Sequence, residues 1–539
     1  MPLANQKLLQ LMEINTIDLF IILIYVIGII YYGIRSGKKA TSEEYFLGGK
    51  SMTWPVIGLS MFAANISSNS LVAITGGAYI NGISVFNYEW MASVVLVVFC
   101  IFILPFYLNT GIYTMPEYFE KRFDARSRVY FSIITLIGNI FIDTAGTLYA
   151  GYKTISFVAV DLNPYLVVAA LAVFAASYTI LGGLSSVMKT EVVNTIILLF
   201  SALVLSILIY NQGGSWEQIK RAAEVKGSHM THLVLPNSNP SMPWLGLLFG
   251  VPILGFYFWC NNQFIVQRAL SAQNKDEARK GALFAGLLKL PVMFLLVIPG
   301  IIAIQLLPNL KDSSEAYPRL MFEYLPTGLL GLTIAGFLAA MASAVSATLN
   351  SASTLVSMDL IRKIKPDISS QSLVKSGQIS TVVFMIVAVL WAPQIAKATS
   401  FMDYMQGVLS LISPPVVAVF LSGLFFKRTT ANGAFYGLMT GLACGIFIVV
   451  CSLYDFTQIN SIPFLLKAPI IFAICFVVTM VISLLENAPA AIKTDDLVWS
   501  FKMYQQETIE MKSLVWYKNY RVLSVMLLIA TFLLVIAFR

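Results

Sequence analysis

Charge is what this sequence has least of. Charged residues fill 12% of its 539 positions, against ~25% in an ordinary soluble protein. That deficit excludes a soluble globular enzyme, a disordered chain and a nucleic-acid module. The net charge of +8 does not restore the last of these, because the basic residues are spread through short connections rather than clustered. Cysteine is scarce too. Cys100, Cys260, Cys444, Cys451 and Cys475 each sit in or at the end of an apolar run, with neither a disulfide framework nor metal spacing. The only two histidines, His229 and His232, make an isolated His-x-x-His that is more often solvated than metallated. Gly-Gly-Lys-Ser at 48–51 ends like a phosphate loop, but Glu44 stands where the leading glycine is required. No nucleotide or nucleic-acid partner is expected, and no catalytic triad or nucleophile pattern marks an enzyme.

What is abundant is apolar sequence, at 58% hydrophobic with a mean hydropathy of +0.79. The chain reads as an all-α polytopic membrane protein in the lipid bilayer, each span needing roughly 20 apolar residues. Fourteen segments qualify: 17–34, 54–79, 84–108, 128–159, 165–183, 187–210, 244–268, 277–307, 322–361, 376–396, 401–424, 431–453, 466–485 and 521–538. The ninth is long enough to include a re-entrant or interfacial helix before the span. The first has no basic leader and reads as a span, not a cleaved signal. Most of the 35 Lys and Arg, among them Arg35, Lys121, Arg122, Lys275, Arg279, Arg362, Lys427 and Arg428, fall in loops on one side. By the positive-inside bias that side is cytoplasmic and both termini are extracytoplasmic. The compact loops suggest a bacterial inner membrane.

Two spans carry their own interruptions. Segment 54–79 contains Ala-Ala-Asn-Ile-Ser-Ser-Asn-Ser, and segment 244–268 contains Gly250, Pro252, Gly255 and the pair Asn261-Asn262. Each opens a block of five spans, 54–210 and 244–424, and an odd number inverts the second block relative to the first. Paired broken helices at matching positions indicate a five-plus-five inverted repeat with the binding site at the breaks, flanked by peripheral helices at 17–34 and 431–538. Two kinked structural helices are the plainer alternative.

Ionisable groups inside apolar spans cost about 2.5–3.5 kcal/mol each at a helix centre. Here they are Glu89, Asp143, Lys153, Lys289, Glu191 and Asp403. Glu89 and Lys289 can line a polar cavity, tie two helices together, or both. Glu191 and Lys153 lie nearer span ends, where reaching out to water is the simpler expectation. Spacing assigns Asp143 no role.

Several stretches carry a resemblance. Glu-Glu-Tyr-Phe-Leu-Gly-Gly-Lys-Ser at 43–51 and Thr-Met-Pro-Glu-Tyr-Phe-Glu-Lys-Arg-Phe at 114–123 are similar to motifs of the sodium/solute symporter family. So are Tyr178 to Glu191, Gln-Arg-Ala-Leu at 267–270, Leu-Asn-Ser-Ala-Ser at 349–353, Met358-Asp359 and Phe-Phe-Lys-Arg at 425–428. The likeness runs from about 17 to 485 and is strongest to the sugar-carrying branch. It implies a LeuT-type fold, with fourteen helices in that branch, and sodium-coupled uptake of a hexose or related polyol.

The resemblance also implies a solute site of Asn65, Ser70, Tyr88, Glu89, Gly255, Phe258, Trp259, Lys289 and Gln406. Lys, Glu and Gln supply the donors and acceptors that hydroxyls need, and an aromatic ring at 258 can cover a pyranose face, though helix packing alone would also explain that ring. Ser70 and Gly255 are shorter than the residues the branch places there. Glu89 argues against a carboxylate substrate, which would want a basic residue facing it, and the core spans show no arginine to do so. For sodium the likeness implies the carbonyls of Ala63, Ile66 and Ala340 and the hydroxyl of Ser343. Ala344 stands where the family has a second hydroxyl, Ser346 is a candidate replacement, and Glu191 a candidate accessory acid. Ala344 keeps a sodium-independent or proton-coupled sugar transporter open as an alternative, with a membrane sugar sensor further off.

Overall fold

The computed structural model describes residues 14–36, 41–157, 162–397, 401–454, 458–490, 497–512 and 514–539. They are helical almost throughout, with two isolated bridges and no strands. Eleven helices among the described residues are long and apolar enough to cross a membrane, fewer than the fourteen apolar segments. The difference lies where helices break or bend. Trp54–Asn65 is only 12 residues long, and Pro164–Ser177 and Gly246–Asn261 are also too short to qualify alone.

Burial sorts the helices into centre and periphery. The apolar stretch of Leu329–Ile364 is 89% buried, whereas those of Thr16–Ser36, Ser370–Ala396 and Tyr520–Ala537 are each 22% buried. The central helix is rich in Ala, Ser and Gly, so neighbours approach closely, as small residues allow inside membranes. It packs along Pro164–Gly213 and touches both halves of the first broken helix. The peripheral helices turn Phe20, Ile27, Ile446 and Phe532 outward, as lipid-facing surfaces require. Gly183, at φ +58, bends Pro164–Gly213 where any Cβ would strike Tyr45.

The first interruption falls where the polar run suggests. Trp54–Asn65 ends, Ile66 is extended at φ −85° and ψ 94°, and Ser67 caps the new helix Ser68–Asn81 through its side chain and the Ser70 N–H. The second does not fall at the glycines or proline. Gly250, Pro252 and Gly255 stay within continuous helical turns, Gly246–Gly250 and Val251–Phe256. The break is at Asn262, extended at ψ 125°, before Gln263–Leu270. Pro252 follows a π-turn, where its missing N–H costs little, and a side chain on Gly250 would collide with the Leu465 carbonyl. Those residues serve packing, not the break. A short helix, Ala316–Tyr324, precedes Leu329–Leu355, but most of it lies ahead of the 322–361 segment.

The resembling motifs meet at the end of the bundle rich in Lys and Arg. Asp359 accepts from Thr114 Oγ1 (2.7 Å) and Arg128 Nε (2.9 Å). Arg122, fully buried, donates to the carbonyls of Gly423 (2.9 Å), Phe426 (2.9 Å) and Thr429 (3.1 Å). These contacts stitch distant segments together without touching the centre.

Candidate functional site

A cavity of about 180 Å³ lies between the two helix breaks. All nine residues expected at the solute site line it: Asn65, Ser70, Tyr88, Glu89, Gly255, Phe258, Trp259, Lys289 and Gln406. They come from five separate apolar segments, so their convergence is a property of the fold.

Lys289 is the hub. Its ammonium donates to the Glu89 carboxylate and to the Asn65 amide oxygen, and lies 5.8 Å from the centroids of both the Phe62 and Trp259 rings. Lys289 is 1% and Glu89 10% exposed by side chain, so the pair is neutralised yet its acid still faces the cavity. The helix break feeds this arrangement. Ser70 Oγ donates to the freed Asn65 carbonyl at 2.9 Å, which holds Asn65 beside Lys289. Phe258 packs edge-on to Trp259 (5.3 Å) and Phe264 (5.5 Å), leaving an aromatic wall. Gly255 keeps its side open: an added Cβ would meet Val95 at 3.4 Å.

The expected sodium ligands sit beside the cavity rather than in its wall. Ala63, Ile66, Ala340 and Ser343 are each buried, and of this group only Ala344 lines the cavity. The end of Trp54–Asn65 leaves last-turn carbonyls without helical partners, the oxygen donors a hard cation takes. Ser343 Oγ accepts from Asn194 Nδ2 at 2.9 Å, and Asn194 accepts from Tyr25. Ser346 Oγ donates to the Ala175 carbonyl at 3.1 Å and does not line the cavity. Among the described residues no group of three or more His, Cys, Asp or Glu could hold a metal.

Two expectations are corrected here. Glu191 does not reach out to water. It is fully buried and paired with Arg268, itself fully buried, with Ser60 donating to the same carboxylate. Nor is the core free of arginine: Arg268 lies in the last turn of the second half of the second broken helix, and its guanidinium faces Glu191 and the Phe264 carbonyl. Two buried charges here satisfy each other. Lys153 does extend outward, to Asp312 at 2.9 Å. The Asp403 side chain lies outside the described residues.

The cavity also holds residues that the sequence did not assign. Asn139, Asp143 and Thr147 present one face of a span, and Tyr257 and Asn262 come from around the second break. The i, i+4 spacing of Asn139, Asp143 and Thr147 was the available signal, since such residues share a helix face. Two π-turns, Gly138–Thr144 and Tyr257–Asn261, carry much of the wall, and π-turns recur at functional sites.

Broken helices meeting at a cavity lined with polar side chains amid apolar spans define a membrane transporter rather than an enzyme. The sodium:solute symporter family profile matches residues 45–441. Sodium/glucose cotransporter 1 of Ovis aries is 31% identical, aligned over 94% of this chain and 84% of its own. The sodium/glucose cotransporter of Vibrio parahaemolyticus is 32% identical over 90% of this chain and 92% of its own. The chain belongs to the sodium:solute symporter family. Its LeuT-like fold is shared with a Na+-coupled sialic acid symporter solved in a substrate-bound outward-open state, at a TM-score of 0.77 and 21% identity, covering 88% of this chain and 99% of that one.

Proposed function

We propose that this protein is a sodium-coupled sugar symporter working by alternating access, and that the cavity is its solute site. The observation that carries this reading is the convergence of eight polar and aromatic residues, with Gly255, from five segments onto one cavity around Lys289 and Glu89. Glu89 and Gln406 accept from sugar hydroxyls, Lys289, Gln406 and Asn65 donate, and Phe258 and Trp259 cover an apolar ring face. Sodium takes the carbonyls of Ala63, Ile66 and Ala340 and the hydroxyl of Ser343, next to the solute. It favours the open, loading form, and each inward charge gains about 2.3 kcal/mol per 100 mV. A ligand shifts the two forms only through its differing affinity for them.

The same reading takes all fourteen apolar segments as spans, the broken ones crossing as paired half-helices. The blocks 54–210 and 244–424 are the inverted repeats, 17–34 and 431–538 the peripheral helices, and both termini are extracytoplasmic in a cell membrane, of bacterial inner-membrane type. Ala344 supports a second reading, sodium-independent or proton-coupled sugar transport, because a methyl cannot coordinate sodium.

The test is radiolabelled uptake in proteoliposomes with a panel of hexoses and polyols, with and without a sodium gradient at fixed voltage. Sodium-driven accumulation of one sugar is expected. Equilibration indifferent to sodium would sink the coupled reading and leave the second. No flux of any sugar would sink both.

A further inference from the structure

Each carboxylate buried among the described spans has an answering charge or N–H group, while one half-buried carboxylate, Asp143, has none. Glu89 faces Lys289 and Glu191 faces Arg268. Asp359 faces Arg128. Asp18 accepts from the Gly328 and Gly331 N–H groups at 2.7 Å each, at the start of Leu329–Leu355. Asp143 has no hydrogen bond and no ion pair among the described residues, and it lines the cavity.

A second observation points the same way. Asn139, four residues earlier on the same face, is 1% exposed and also lines the cavity. Its Nδ2 donates to Ser351 Oγ at 3.0 Å, so its Oδ1 is turned the other way, and that oxygen is buried without a partner. Asn262, 4% exposed and across the cavity, likewise has an unpartnered Oδ1. A carboxylate and two amide oxygens are acceptors only. Buried acceptors without donors are rare in folded proteins and call for an occupant. A neutral hydroxyl can serve one of them but leaves the charge uncompensated. A cation answers the carboxylate and the amide oxygens together.

We propose that Asp143, with the amide oxygen of Asn139, forms a site for a monovalent cation inside the solute cavity. The occupant is either a free sodium ion or the ammonium group of a charged solute such as an amino sugar. The site is separate from the buried carbonyl and Ser343 set, and it lies on a different helix from Glu89 and Lys289. It rests on reading the cavity as the solute site.

The test uses the purified full-length chain in nanodiscs. Binding of radioactive sodium is measured for the wild type, Asp143→Asn and Asn139→Ala, with the thermal midpoint of each recorded. In parallel, emission of the cavity-lining tryptophan is titrated with glucose and with glucosamine at slightly acid pH. Asp143→Asn is isosteric and removes an unanswered charge, so its midpoint should be at least that of the wild type. If the occupant is a free ion, Asp143→Asn lowers sodium affinity by about tenfold or more, or removes one ion per chain, and Asn139→Ala weakens it less. If the occupant is a solute ammonium, sodium binding is unchanged while glucosamine weakens about tenfold and glucose does not. Unchanged sodium and unchanged glucosamine binding in both variants overturns the proposal. Sodium-driven sugar uptake by the variants, measured as above, shows in that case that the transport reading stands without this site.

Discussion

Two ion pairs cross the middle of this protein, and they differ in what surrounds them. Glu191 and Arg268 are both fully buried. Arg268 also donates to the Phe264 carbonyl, and Ser60 completes the carboxylate. The pair joins one half of each broken helix to Pro164–Gly213. Glu89 and Lys289 are equally close, but Glu89 keeps an exposed edge and the pair forms a cavity wall. The first pair has no opening for a ligand, so its charges are answered only by each other, Ser60 and the Phe264 carbonyl. The second can exchange protein contacts for solute contacts at little electrostatic cost. Identical chemistry is structural in one place and available for binding in the other, and burial makes the difference.

The largest effect should come from breaking the sealed pair. Arg268→Ala leaves Glu191 charged, buried and unpaired, a loss of about 3–5 kcal/mol. Solubilised protein should be recovered in small yield with a sharply lowered thermal midpoint. A variant as stable as the wild type would show that Glu191 is neutral or hydrated and that the contrast is false.

Breaking the open pair should cost function instead of fold. In Glu89→Gln the cavity and Asn65 still solvate Lys289, so the chain should fold. Sugar uptake should fall on the order of 100-fold, the cost of losing a charged acceptor for solute hydroxyls. Equal loss of stability in both variants would mean that the cavity is as dry as the sealed pair.

A third cluster sharpens the comparison from outside the spans. Glu507, on the Phe501–Lys512 helix, accepts from Tyr520 (2.6 Å) and Arg521 (2.9 Å) and pairs with Arg279. Burial alone would push its carboxyl up. The Tyr520 hydroxyl and the two guanidiniums outweigh burial and hold it below the usual carboxylate range. A depressed acid stabilises the fold above its unfolded value, ~4.3, and that contribution fades as pH falls through the folded value. Glu507→Gln should therefore cost about 1.5–3 kcal/mol near neutrality, with the gap to wild type closing in acid. A gap independent of pH would assign the loss to packing.

The sequence exposed this architecture unevenly. Spans are legible because lipid imposes long apolar runs. The first break is legible because polar residues interrupt such a run. The second is legible in part: the Asn261-Asn262 pair marks the break, while Gly250 and Pro252 look like breakers yet stay in helix. The resembling motifs at 114–123, 349–359 and 425–428 prove to be ties at the basic end, through Arg122, Arg128 and Asp359. Glu89 and Lys289 stand out in the sequence as charges inside apolar spans, whereas the other seven cavity residues follow from likeness alone, because no local pattern links positions such as 65, 258 and 406. Arg268 was hidden by its place at a span end, where only three dimensions distinguish a loop charge from a sealed one. Asp143 was visible as a charge but not as an unpaired one.

The smallest expected effect tests the joint between solute and ion. Ala344 lines the cavity and is 4% exposed, one residue from Ser343. Nearby hydroxyls are committed: Thr348 Oγ1 donates to the Ala344 carbonyl at 3.0 Å and lies 2.7 Å from Thr144 Oγ1. Ala344→Ser adds one oxygen on the cavity side. A serine oxygen offers the cation lone pairs that a methyl lacks. The sodium concentration for half-maximal uptake should drop about three- to tenfold, or ~1 kcal/mol, with maximal sugar flux unchanged. A shift confined to sodium would place the ion beside Ser343 and make Ala344 a natural weakening of coupling. Sodium dependence that does not move would detach the ion from this helix and leave Asp143 as the remaining place in the cavity where a cation is answered.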